Sequence, residues 1–155
     1  MGAKERSSIN KILEENKLLF LSTTNPNGNP ESCSVYYVFD KNFNIYIWTD
    51  DDSRHAKNLK RNKNVSVAIA NTSQKWGSLL RGLQIEGKCE KVSILRIAKP
   101  GMLYLKRYPK VKSFIKSPSD FLKKYDSKMF KITPSWIKIF DEKVFGKEVW
   151  KEVRL

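Results

Sequence analysis

The stretch from Ile45 to Leu59 constrains this chain more than any other. Ile45-Tyr46-Ile47-Trp48-Thr49 is an apolar run of β-branched and aromatic residues with strand character. Asp50-Asp51-Asp52 reads as a tight polar turn, and Ser53 is placed to cap a helix running to Arg61. A helix N-terminus carries partial positive charge and unpaired N–H groups. The aspartates suit that position, whereas Arg54, His55 and Lys57 suit it only if an anion sits beside them. A phosphate meets the requirement, because Ser53 offers one hydrogen bond, Arg54 a fork, and the helix N–H groups the rest. The plain alternative is an N-cap followed by a solvated basic helix face.

Around this unit the chain reads as strands with hairpin spacing. Ser8 to Asn16 is a short amphipathic helix capped by Ser7 or Ser8. Leu18 to Thr24 and Ser32 to Phe39 are strands joined by the turn-rich Asn25-Pro26-Asn27-Gly28-Asn29-Pro30. Val65 to Ala70 alternates with period two, and Leu79 to Val92 is a long strand bent near Gly82 or Gly87. Ser93 to Tyr125 reads as mostly helical, broken at Pro100-Gly101, Pro109 and Pro118. Met129 to Thr133 and Ser135 to Phe140 read as two closing strands around Pro134. Six or so strands in this order predict an antiparallel barrel with decorating helices. A single domain over 1–155 is expected, with 93–127 a helical excursion packed on the barrel.

Composition narrows the partners. The net charge of +14 favours anionic ones, namely nucleic acid, an acidic membrane surface or phosphorylated small molecules. No nucleic-acid motif accompanies the lysine-rich 99–131 region, and no apolar run approaches a membrane span. With no signal-peptide core at the start, the expected location is cytoplasmic. Cys33 and Cys89 are far apart and the chain has one histidine, a poor donor set for zinc. Two reduced thiols are expected.

Order and motifs resemble the FMN-binding split barrels related to pyridoxamine 5′-phosphate oxidase, over about Leu18 to Val92 and more loosely through Met129 to Phe140. The resemblance is carried by Trp48-Thr49-Asp50-Asp51-Asp52-Ser53-Arg54-His55-Ala56-Lys57-Asn58-Leu59. Family members show there an aromatic-Thr pair, a polar turn, and Ser-Arg-Lys opening a helix. Arg81-Gly82-Leu83-Gln84-Ile85-Glu86-Gly87-Lys88-Cys89-Glu90 and Tyr104-Leu105-Lys106-Arg107-Tyr108-Pro109 match in order and spacing. The resemblance implies a six-stranded split β-barrel, a homodimer, and one FMN at each end of the dimer interface.

Carried over by position, Ser53, Arg54 and His55 hold the FMN phosphate with Lys57 as helper. Trp48 and Thr49 border the ribityl chain and ring, and the backbone of Val35, Tyr36 and Tyr37 lines the isoalloxazine. Arg81 on its strand needs an anionic partner, which a ligand could provide. The family's flavin-contacting glutamine falls on Gly82, with Gln84 nearby. The arginine and lysine that the oxidase carries on the preceding strand fall on Cys33 and Val38, and its C-terminal Arg-x-His has no counterpart. The resemblance therefore implies a flavoprotein, an FMN-dependent oxidoreductase of an unidentified small molecule, rather than the oxidase proper. In such a protein the flavin carries the chemistry, so no catalytic side chain is assigned. The rival readings are a deazaflavin- or haem-binding relative, for which His55 in a phosphate-type turn is a poor axial ligand, and a basic nucleic-acid-binding module.

Overall fold

The period-two alternation of the strands produces one antiparallel sheet that closes on itself. The computed structural model describes residues 1–123 and 126–155. After helix α1 (Ala3–Glu15) come β1 (Leu18–Thr24), β2 (Pro30–Phe39), β3 (Ile45–Asp50), α2 (Arg54–Arg61), β4 (Asn64–Ala70) and β5 (Arg81–Lys91). Next follow α3 (Ala98–Arg107), a 3₁₀ segment (Pro109–Ser113), α4 (Asp120–Lys123), β6 (Ser127–Asp141), α5 (Glu142–Phe145) and β7 (Trp150–Arg154). The sheet order is β3-β2-β1-β4-β5-β6-β7, and β3 also pairs with β6. Strands β1 to β6 thus form a closed barrel, and β7 is an extra strand on the outside of β6.

Strand β6 makes both arrangements possible because it runs through Pro134 instead of breaking there. Its first half closes the barrel on β3, its second half accepts β7, and β5 follows it throughout. The register shifts between Glu86 and Gly87, opposite Pro134. That bulge lets the two long strands bend together, and a side chain at Gly87 would collide with the Thr133 carbonyl. The two closing strands expected from sequence are therefore one, and β7, whose Trp-Lys-Glu-Val-Arg has little apolar alternation, is an addition.

The feature that positions the site is where two strands part. Strand β2 pairs with β1 over 30–36 but with β3 only over 37–39. Residues 30–36 therefore have one strand neighbour, and their other edge presents unpaired backbone groups. Tyr104 of α3 closes the top of this split. Its hydroxyl accepts from Trp48 N–H at 3.0 Å and lies 3.0 Å from the Tyr36 carbonyl and 3.2 Å from that of Tyr46.

Two cores follow. Inside the barrel Leu21, Tyr37, Ile47, Val67, Ile85 and Ile137 are buried, with one end closed by Ile9, Ile12 and Leu13 of α1. Outside, Val38, Tyr46 and Met129 pack against Tyr104, Ile115 and Phe121 of the helical excursion. Helix α1 begins at Ala3, well before Ser8. Ser8 is buried and donates to Asp141 at 2.6 Å, so it ties α1 to β6 and caps nothing. Pro100-Gly101 lies inside α3, whose first turn tolerates a proline because those N–H groups have no intrahelical acceptor. The end of the expected helical stretch, Lys124 and Tyr125, lies outside the described residues. Cys33 and Cys89 are free thiols. Among the described residues no helix is long and apolar enough to cross a membrane.

Candidate functional site

The polar turn after β3 folds as its sequence requires. Asp50 accepts from the Asp52 backbone N–H at 2.8 Å, and Ser53 N-caps α2 by accepting from Ala56 N–H at 3.3 Å while donating to the Asp50 carbonyl at 2.7 Å. This sets His55 between three elements. Its Nε2 lies 2.8 Å from Thr49 Oγ1 on β3 and 3.1 Å from Ser53 Oγ, and its Nδ1 lies 3.4 Å from Cys33 Sγ on β2. Burial lowers the His55 pKa below its ordinary value, against a smaller opposing pull from Asp50. The ring is therefore neutral at pH 7 and bridges by hydrogen bonding, without adding charge. Burial likewise raises the Cys33 pKa, so that thiol stays protonated.

Inward-facing positions of β2 supply the opposite wall. Glu31 accepts from Asn25 Nδ2 at 3.2 Å and Asn58 Nδ2 at 3.0 Å, and forms an ion pair with Arg54. Those amide hydrogen bonds, with Arg54 adding to them, hold the Glu31 carboxyl below the usual range despite some desolvation. Asn58 also donates to the buried Thr23 hydroxyl at 3.0 Å. Together Thr23, Glu31, Ser32, Cys33, Arg54 and His55 line a cavity of about 280 Å³ at the mouth of the barrel.

The expected site residues divide into two groups. Thr49, Ser53 and His55 meet at the start of α2, Arg54 turns to Glu31 across the same hollow, and Lys57 stands one turn on, 3.6 Å from Asp52 at the surface. Val35 packs on the barrel core and Tyr37 is fully buried, its hydroxyl donating to the Leu13 carbonyl at 2.9 Å. Only the backbone of Val35 can face the split, since Tyr37 is already paired with Ile47 of β3 and so does not line it as expected. Tyr36 points outward and is 61% exposed, edge-on to Tyr108 at 5.7 Å. The Trp48 ring is covered by Phe114, stacked at 6.4 Å, and by Phe121, edge-on at 4.9 Å.

Arg81 does not join this group. It donates to Asp141 at 3.0 Å and to Glu15 at 2.6 Å, so the chain supplies the anion expected from a ligand. Gln84 lies on the outer sheet face, in a row with Ala68, Phe20 and Ser34, three strands from β2. Sequence reading missed Glu31, Asn25, Asn58 and Thr23. The available signal was parity, since Glu31 and Cys33 share the inward face of β2 with Val35 and Tyr37.

The donor set fits a phosphate. Arg54 and His55 line a hollow large enough for one, Ser53 and Lys57 flank them on the same turn and helix, and the Arg54 and Lys57 side chains are 83% and 59% exposed, free to turn toward it. Glu31 competes for Arg54, and Asp52 for Lys57. A family model described as pyridoxamine 5′-phosphate oxidase matches residues 6–139. The chain belongs to the pyridoxamine 5′-phosphate oxidase family. Within that family it differs from the oxidase proper in having Cys33 and Val38 on β2 and no histidine besides His55.

No curated protein matches the chain. Among solved structures, the general stress protein 26 of Bacillus anthracis str. Sterne is similar with a TM-score of 0.68 and 22% identity, each chain covered to 100%. The heme storage protein HutZ of Vibrio cholerae has a TM-score of 0.67 and 19% identity, covering 83% of this chain and 88% of that one. A heme binding protein of Mycobacterium smegmatis has a TM-score of 0.75 and 17% identity, covering 99% of this chain and 58% of that one. At these identities the likeness concerns the fold.

Proposed function

We propose that this member of the family is a cytoplasmic, homodimeric flavoprotein that binds FMN in the split between β2 and β3 and acts as an FMN-dependent oxidoreductase on a small molecule. One observation carries the reading: the unpaired backbone edge of β2 over 30–36 runs beside the helix start that presents Ser53, Arg54 and His55. A flat heterocycle with its own donors and acceptors satisfies that edge, and a phosphate satisfies the helix start. Bound FMN would supply the hydride chemistry. The chain's own residues bind and orient: Arg54 and Lys57 turn from their carboxylates to the phosphate, Ser53 turns its hydroxyl proton from the Asp50 carbonyl to the phosphate, and neutral His55 holds Thr49 in place.

The test is the absorbance spectrum of purified protein and the identity of any chromophore released on heating. A flavin spectrum with FMN released supports the reading. Arg54→Ala with Lys57→Ala should then weaken FMN binding by about 100-fold, the loss of two charge-assisted contacts. Protein that takes up no FMN on reconstitution overturns it. The names of two structural neighbours raise heme as the rival ligand. Flavin is preferred because both ring nitrogens of His55 are engaged by side chains of this chain. A Soret band after heme addition, lost in His55→Ala, would reverse that preference.

A further inference from the structure

We propose that the cleft between α1 and α3 is a second ligand site, built for a small organic phosphate with an apolar body. It is an open cleft of about 800 Å³, within the range of small-molecule sites. It lies beyond the far end of β2 from His55, since Cys33 and Phe39 are six residues apart on that strand, about 20 Å at strand rise. It therefore stands independently of the FMN reading.

The lining has three parts. One wall is apolar, made by Phe39 of β2 and Leu103 of α3 with Val38 beneath them. The second part is a pair of guanidinium groups already fixed in place. Arg6 sits 5.0 Å over the Phe43 ring and donates to the Lys41 carbonyl at 3.2 Å. Arg107 sits 5.4 Å over Phe39 and donates to the Leu13 carbonyl at 2.7 Å. The third part is Lys17, Lys41 and Lys106, which come from three separate segments and donate to no acceptor among the described residues.

The charge is not balanced from within. Of the two lining carboxylates, Glu14 is exposed at the rim, and Asp40 is already enclosed by donors. Asp40 accepts from Lys99 Nζ at 2.7 Å, from the Asn42 and Asn44 backbone N–H groups at 2.9 and 3.1 Å, and from the Tyr46 hydroxyl at 3.2 Å. A basic surface kept only for solubility has no need of a concave form or an apolar wall. Three unengaged ammonium groups around such a wall match a molecule that is anionic at one end and apolar along its body. Part of the +14 charge thereby acquires a local use.

The probe is 1-naphthyl phosphate, titrated by its fluorescence against the full chain. Saturable binding to one site per chain is expected, unaffected by saturating FMN and by Arg54→Ala. Lys41→Gln with Lys106→Gln should weaken it by about tenfold or more, as two charge-assisted contacts are lost. Lys143→Gln with Lys147→Gln removes the same charge from an exposed segment that does not line the cleft and should leave it unchanged. Circular dichroism verifies that each variant folds. The proposal is overturned if binding is absent up to millimolar probe, if both lysine pairs weaken it equally, or if Arg54→Ala or FMN abolishes it.

Discussion

Glu31 decides how tightly a phosphate can be held at the barrel mouth. An Arg54 side chain that is 83% exposed gains little from its ion pair with Glu31 in water. Yet Glu31 itself is held by two asparagine amides, so its negative charge stays in the hollow whether or not Arg54 remains. An arriving phosphate must bring its own charge next to that carboxylate. Where the oxidase has an arginine on this strand, Cys33 adds no compensating charge, and burial keeps His55 neutral. Glu31→Gln removes the repulsion and leaves an oxygen to accept from Asn58. It should tighten FMN binding on the order of tenfold. Fluorescence-quenching titration of FMN measures this, and unchanged or weaker affinity in folded Glu31→Gln protein would show that Glu31 does not face the phosphate. Of this arrangement the sequence displays only the cationic half. Glu31 lies 23 positions before Arg54, and nothing local marks that the two meet.

At the level of elements, what was legible depended on whether the partner was near in sequence. Strands β1 to β5 and α2 follow from alternation, turn residues and the Ser53 cap, all local signals. The errors share a different cause. Ser8 looks like a cap because its true acceptor, Asp141, is 133 positions away, and Arg81 looks unpaired because Asp141 is 60 positions away. Pro134 looks like a break because the register shift that accommodates it, with Ser135 left over against the Glu86–Gly87 step, exists only once β6 is paired with β5, more than 40 positions away. Helix α1 illustrates the same dependence. It has no basic residue in its last turn to meet its C-terminal carbonyls. Arg107 of α3 does so instead, donating to the carbonyls of Leu13 and Asn16 while its guanidinium lies 4.9 Å over the Tyr37 ring. Arg107→Ala should therefore destabilise the fold by about 2 kcal/mol, combining a charged hydrogen bond with a cation–π contact. Thermal unfolding should shift down by about 4–8 °C. Arg107→Lys should recover only part of this, since an ammonium cannot span both carbonyls from above a ring. A shift under 1 °C for the alanine variant would mean that α1 is held by its apolar face alone.

The whole molecule leaves one sheet face uncovered. The helical excursion packs over the outer side of β2 and β3, and β7 lies against β6. Nothing described covers the outer face of β1, β4 and the first part of β2. There Phe20 is 40% and Tyr36 61% exposed, amid Ser34, Ser66, Ala68 and Ala70. Small side chains flanked by aromatics make a surface that another sheet can approach closely, and its centre carries no charge. That matters for a chain of net charge +14, because two copies repel unless the contact excludes their cations. Gln84 lies in the same row as Ala68 and Phe20, three strands from its own β2. On the proposed FMN reading, Gln84 would meet a flavin held at the split of a second copy docked across this face. Dimerisation and FMN binding should then fail together. Phe20→Glu with Tyr36→Glu places two carboxylates at exposed positions, where the barrel core is untouched. Sedimentation velocity at micromolar concentration should show wild type as a dimer and this variant as a folded monomer. Its FMN affinity should fall by about tenfold or more through loss of the partner's Gln84, and Gln84→Ala should weaken FMN binding in the dimer without dissociating it. A wild-type monomer that binds FMN at full affinity would mean that each barrel holds its flavin alone.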